Sequence, residues 1–239
     1  MKRATRLVTL SALLYAIVAA LPAFAKLPRE IALTYNVTRS GVPVAIVQER
    51  FEASYQAFRI TSESSAVGLL ALVQRRPARV TSTGRITERG LQPERFEGAR
   101  GADDPRRVAA YFDWPQSQLT IMHEGREETV QLPPGTQDRL SVMYQFMFIE
   151  LERLTSLEFA MTNGRKLDRY HYAVTPGVEI ETPLGPMTTV HLARQREPGA
   201  THTEVWLSPA HANLPVKVQV VESDGARYEQ SITQIDVRR

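Results

Sequence analysis

Five histidines, His123, His171, His191, His202 and His211, are the side chains best suited to bind a metal or move a proton near neutral pH, but their spacing matches no metal signature. His191 and His202 come face to face, with Glu204 nearby, if the segments Met187–Leu192 and Thr203–Leu207 pair as strands. A zinc site needs three or four convergent ligands, and adjacent residues of a strand point to opposite faces. No metal and no cofactor are therefore expected. Nucleophile chemistry lacks its usual frames: there is no G-x-S-x-G elbow, no S-x-x-K, no H-E-x-x-H and no glycine-rich phosphate loop. Of the carboxylate pairs, Glu150 with Glu152 falls on different sides of a helix, and Asp103 with Asp104 falls in a loop. Neither pair has the opposed, rigid placement of a glycosidase, and no catalytic residue is assigned.

Tyr170-His171-Tyr172 puts two rings on one strand face with an imidazole behind them, a pattern that suits a ligand platform but more commonly faces a core.

The elements that must position these groups are mostly strands. Ile31, Leu33, Tyr35 and Val37 alternate with Ala32, Thr34 and Asn36, the period of a half-buried strand. The same reading holds for Val44–Phe51, Phe58–Ser62, Arg79–Ile86, Val108–Trp114, Gln118–Met122, Glu128–Leu132 and Leu157–Met161. It continues through Leu167–Val174, Val178–Glu181, Met187–Leu192, Thr203–Leu207, Leu214–Val221 and Arg227–Val237, with a change of phase between Ile232 and Ile235 that predicts a bulge. Ser40-Gly41, Glu124-Gly125, Asn163-Gly164 and Asp224-Gly225 read as hairpin turns, and Gly98–Pro105 as the longest loop.

One segment departs from period two. Pro134-Gly135-Thr136 leads into a helix over Gln137–Leu154, capped by Thr136 or Asp138. Leu140, Tyr144, Met147, Leu151 and Leu154 form one apolar stripe, and Val142, Phe146 and Ile149 a second on nearly the opposite side. Two greasy faces must both be enclosed, so the expected architecture is all-β with one main helix: a curved antiparallel sheet, or half-barrel, wrapped around that helix. A ligand pocket beside the helix would be lined by Tyr144, Met147, Phe148 and Leu151, with Trp206 from a strand.

The 239 residues, 43% hydrophobic and 23% charged with no cysteine, have an ordinary globular balance that excludes disulfides and thiolate sites. Lys2, Arg3 and Arg6, the apolar run Leu7–Ala20 and Ala23-Phe24-Ala25 read as a secretory signal peptide over residues 1–25. The run is too short for a retained transmembrane helix, and the absence of cysteine rules out lipidation of a mature N-terminal cysteine. Residues 26–239 are then expected as a single periplasmic domain. Removing residues 1–25 takes three of the 29 basic side chains and none of the 26 acidic ones, which leaves zero net charge and no support for nucleic-acid binding. Local arginine clusters remain at Arg75, Arg76 and Arg79 and at Arg100, Arg106 and Arg107.

A set of short motifs carries a family likeness. Gln137-Asp138-Arg139-Leu140-Ser141, Thr162-Asn163-Gly164-Arg165-Lys166-Leu167, Thr182-Pro183-Leu184-Gly185, Trp206-Leu207-Ser208-Pro209, Leu214-Pro215-Val216-Lys217 and Asp224-Gly225 with Glu229-Gln230 resemble the bacterial domain-of-unknown-function family 3108 (DUF3108). The likeness extends back through Gly90–Phe96 and Ile60–Leu72 to about Tyr55. It implies an exported envelope protein of Gram-negative bacteria and supplies no catalytic residue. Trp206 to Gly225 is also similar, more weakly, to the strand pairs of the lipoprotein carriers LolA and LolB and of RseB, curved sheets over an apolar cavity. Together these readings point to a periplasmic, non-catalytic binder of an apolar ligand, lipid or lipoprotein segment. The alternatives are a protein-binding or scaffold factor in envelope assembly and, third, an envelope hydrolase using His171, His191 and Glu204.

Overall fold

The computed structural model describes residues 27–74, 76–101, 103–194 and 201–239; the expected signal peptide and Arg75 lie outside them. Alternation is realised as strands: β1 (Glu30–Arg39), β2 (Val42–Ser54), β3 (Ala57–Ala66), β4 (Ala78–Thr87), β5 (Gly90–Ala99), β6 (Val108–Asp113), β7 (Gln118–His123) and β8 (Arg126–Gln131) form one meander. A four-residue helix α1 (Leu70–Val73) caps the β3–β4 connection. The second meander is β9 (Gln137–Asp138), β10 (Ser156–Thr162), β11 (Leu167–Thr182), β12 (Gly185–Arg194), β13 (His202–Ser208), β14 (Leu214–Val221) and β15 (Arg227–Arg238). All belong to a single open, curved sheet of 15 strands in the order β8 to β1, then β15 to β9. Among the described residues, only the β9–β10 pair is parallel.

The expected half-barrel is thus the observed one, and the phase change in the last strand is a real bulge. Thr34 faces Gln234 while Tyr35 faces Ile232, leaving Thr233 over, and its hydroxyl donates to the Thr34 carbonyl at 3.0 Å. Ile31, Leu33 and Tyr35 point into the core with no more than 1% exposure. Two expectations need correction. Gly98 and Ala99 belong to β5 rather than to a long loop, and the shorter loop that follows is held by Asp104, whose carboxylate accepts the Arg100 and Arg106 amides at 2.6 and 3.0 Å. The two strands read around Val174 and Val178 are one strand, β11, with a register shift between Thr175 and Val178.

The predicted helix is much shorter than its sequence suggests. Gln137 and Asp138 are extended against Met161 and Thr162, and α2 covers only Ser141–Gln145 before a 3-10 turn at Phe146–Phe148 and another at Leu151–Arg153. The N-cap position is Leu140 rather than Thr136 or Asp138, but Asp138, two residues ahead of it, still receives the chain there: its Oδ1 accepts the amides of Leu140 and Ser141 at 2.9 and 2.8 Å. Phe146, Phe148 and Ile149, aromatic and β-branched, have weaker helix propensity than straight-chain residues. Asn213 then donates its amide Nδ2 to the carbonyls of Phe146 and Ile149 at 3.3 and 3.2 Å, occupying acceptors a continuing helix would use.

This insert crosses the concave face of the sheet, and its two apolar sides are both buried as expected. Leu140 and Tyr144 join a cluster with Ile31, Phe51, Ile60 and Phe96; Val142 and Phe146 join a second with Tyr172, Leu192, Val205 and Leu207. Leu151 and Leu154 go to the second cluster instead of the first, because the helical period ends before them. Fully burying a side chain such as Phe146 contributes on the order of 2 kcal/mol, so the insert is held chiefly by packing. The outer edge strand β8 is exposed along most of its length and carries Arg126, Glu127 and Glu128, charges that discourage edge-to-edge pairing.

Candidate functional site

At the end of the sheet where β1 begins and β15 ends, a cleft of about 540 Å³ opens. Leu27, Ile31, Ile86, Met147, Phe148, Leu214 and Val237 supply its apolar wall, and Thr87, Glu88, Glu150, His211 and Arg239 are its polar and charged lining groups. Five distant stretches of chain meet here. The 147–149 wall is fixed by Asn213, which follows a left-handed Ala212 (φ 56°) and is itself left-handed (φ 58°). His211 Nδ1 lies 2.9 Å from Ser208 Oγ, which ties this turn to the end of β13.

Met147 and Phe148, two of the five pocket residues expected from sequence, line this cleft. The other three are elsewhere. Tyr144 is wholly buried, stacked on Phe51 at 5.3 Å, and Leu151 is wholly buried in the second cluster. Trp206 is half-buried on the face of β13 opposite Val205 and Leu207, with His191 stacked on its ring at 4.5 Å and Lys217 above it at 5.3 Å. Asn213, His211 and the two chain-end segments carry no local signal that would join them to Met147.

Beneath the insert lies a polar network that positions it. Tyr144 donates to Glu49 Oε2 and Ser62 to Glu49 Oε1, both at 3.1 Å, while Ser82 donates to Asp138 Oδ2 at 2.6 Å. Burial pushes the Glu49 and Asp138 carboxyls up, against the pull of these hydrogen bonds. Burial first, and then the Glu49 charge, raise the Tyr144 phenol well above its ordinary value. These groups fix the insert to β2, β3 and β4, with Ser82 and Asp138 fully buried and Glu49 and Ser62 half-buried; their arrangement is that of an anchor.

On the other sheet face the foreseen pairing of β12 with β13 occurs, and it brings the two imidazoles to one carboxylate. His191 Nε2 lies 3.0 Å from Glu204 Oε2, and His202 Nε2 lies 2.8 Å from Glu204 Oε1. His171 is not part of this group: it pairs with Glu158 at 3.6 Å, four residues along β11 from Thr175, the partner of His191, hence about 13 Å away. The hydrolase trio expected from sequence is therefore divided. Tyr170 and Tyr172 both stack on Phe159, at 5.9 and 5.7 Å, so that face packs inward.

Glu204 makes acid stability testable. Burial alone would raise its carboxyl, but the hydrogen bonds from His202 and His191 outweigh it and hold the group below its usual range. A depressed folded-state value contributes stability above the unfolded value of 4.5, lost as pH falls through the folded value. Glu204→Gln should lower stability at pH 7 by no more than about 1 kcal/mol. The difference from wild type should close below pH 4.5 in urea titrations followed by fluorescence.

Among solved structures, the chain is similar to the β-barrel-like protein of domain of unknown function DUF1849 from Brucella abortus, with a TM-score of 0.54 at 9% identity over 87% of this chain and 97% of that one. That likeness concerns the fold. No curated protein matches the chain. The model of the family described as "Protein of unknown function (DUF3108)" matches residues 34–231, a span running from β1 through the insert and the β12–β13 pair into the last strand, and the chain belongs to that family.

Proposed function

We propose that the protein is an exported, periplasmic envelope protein that holds the apolar chain of a lipid or of a lipoprotein segment in the cleft at Met147 and Phe148, without catalysing a reaction on it. The observation that carries this reading is the composition of the cleft: a partly open space of about 540 Å³ with a mainly apolar wall, its polar groups confined to Thr87, Glu88, Glu150, His211 and Arg239. That volume falls in the range of small-molecule sites, and methionine and aromatic walls adapt to guests of variable shape without leaving polar groups unpaired. Export is supported by the signal-like residues 1–25. Sequencing the periplasmic form should find Lys26 at its N-terminus.

Solvent extraction and mass spectrometry of the purified mature protein should recover a bound amphiphile, and a fluorescent fatty acid should bind and be displaced by it. Met147 is only partly buried, so Met147→Asp should cost little stability, about 1 kcal/mol, yet weaken fatty-acid binding at least about tenfold by setting a charge against the chain. A folded wild-type protein with no extractable or exchangeable amphiphile would sink the proposal.

A further inference from the structure

The β3–β4 connection ends in an apolar tip. Leu69, Leu72 and Val73 are 85, 70 and 83% exposed and Leu70 39%, and no residue of α1 is buried. The tip is nevertheless shaped by its own backbone, with Ala71 and Gln74 donating to the carbonyls of Gly68 and Leu70 at 3.2 and 2.8 Å. Soluble proteins rarely display adjacent large apolar side chains without a use for them.

Arginines surround the base of this tip. Arg76 lies alongside Gly101, and Arg100 Nη1 donates to Gln74 Oε1 at 2.6 Å, which ties the tip to the end of β5. Next to it, Arg100, Arg106, Arg139 and Arg165 line a recess of about 330 Å³. Its only lining carboxylate among the described residues is Asp104, already engaged by backbone amides. Arg165 pairs with Glu124 at 3.1 Å; Arg106 and Arg139 have no carboxylate oxygen within 4.0 Å among the described residues.

We infer that this end of the molecule docks on a bilayer surface carrying anionic head groups, the Leu69–Val73 tip entering the acyl boundary while Arg76, Arg100 and Arg106 meet the phosphates. The charge pattern selects this occupant: an apolar wedge with a guanidinium collar complements acyl chains beneath a phosphate layer, and guanidinium groups bind phosphate through paired donors. The tip sits where β4 starts and the cleft where β4 ends, a strand of ten residues or about 30 Å away. Docking therefore does not depend on what the cleft holds.

The test is flotation of the mature protein with vesicles of phosphatidylcholine alone or with one-third phosphatidylglycerol, at low and high salt. The wild type should float with the anionic vesicles, less so at high salt, and not with phosphatidylcholine alone. The double variant Arg100→Gln, Arg106→Gln should bind about 25-fold more weakly, taking about fivefold per arginine. Leu69→Asp with Leu72→Asp should abolish binding while keeping the wild-type urea midpoint, since neither side chain touches the core. Met147→Asp should float normally, which separates this surface from the cleft. Failure of the wild type to float with anionic vesicles, or undiminished floating by the tip variant, overturns the inference. Self-association without vesicle binding, abolished by Leu72→Asp, would assign the tip to a second copy and overturn it equally.

Discussion

Replacing Asp138 by alanine is expected to lower the unfolding free energy by about 3–5 kcal/mol, the range for breaking a buried charged network by removing one partner. Asp138 has no exposed surface, and its carboxylate accepts from the Ser82 hydroxyl and from the amides of Leu140 and Ser141. Alanine would strand all three donors where water cannot reach them. It would also release the start of the insert from β4 and so loosen both apolar clusters at once. Asp138→Asn keeps an acceptor near Oδ1 and should cost roughly 1–2 kcal/mol less than alanine. Because burial raises the folded-state value of Asp138, its contribution is greatest at low pH and declines as pH rises through that value. The asparagine variant should therefore compare best with wild type above that range. Urea midpoints measured from pH 3 to pH 8 check both statements; an alanine variant within 1 kcal/mol of wild type would show that the insert does not depend on this anchor.

Gly164→Val should cost a similar amount, about 3–5 kcal/mol, from two independent causes. Gly164 has φ +81°, where a β-branched residue is strained by about 1–3 kcal/mol. A Cβ at this position would also stand 2.9 Å from both Phe96 Cε1 and Val108 Cβ, and overpacking of this kind adds about 1–3 kcal/mol. The β10–β11 turn is otherwise well built, with Asn163 Oδ1 accepting the Arg165 and Lys166 amides at 2.9 and 3.2 Å. The turn seats the second meander against the first, so the variant should also show lost near-ultraviolet dichroism. Gly164→Ala meets the same two atoms with less bulk and should fall between wild type and valine.

How far this architecture can be read from sequence depends on the range of the interaction concerned. Period-two alternation located most strands, and the phase change near Ile232 disclosed the Thr233 bulge, because both follow from pleat geometry alone. Strand β5 escaped, since Gly90, Pro93 and Gly98 interrupt its pattern; the bulge between Thr83 and Gly84 in its pairing with β4 absorbs the irregularity. The two apolar sides of the insert were legible, but its helical length was not, because Asn213 ends it from more than sixty residues away. At the candidate site the reach was shorter still. Met147 and Phe148 could be proposed from the stripe, whereas the stripe could not separate them from Tyr144 and Leu151, which face filled space. The apolar tip at Leu69–Val73 looks like core by composition, and only its place beyond the end of the sheet shows otherwise.

The seam at the centre of the sheet joins β1 to β15, with Thr34 and Thr233 in contact across 199 residues of chain. Each meander can grow by adding neighbouring strands as the polypeptide is delivered, but the flank of the first strand stays bare until the last one arrives. Such long-separation pairing carries a large loop-closure cost and slows folding. The interval before that closure is when the unfinished molecule is most exposed to pairing with the wrong chain.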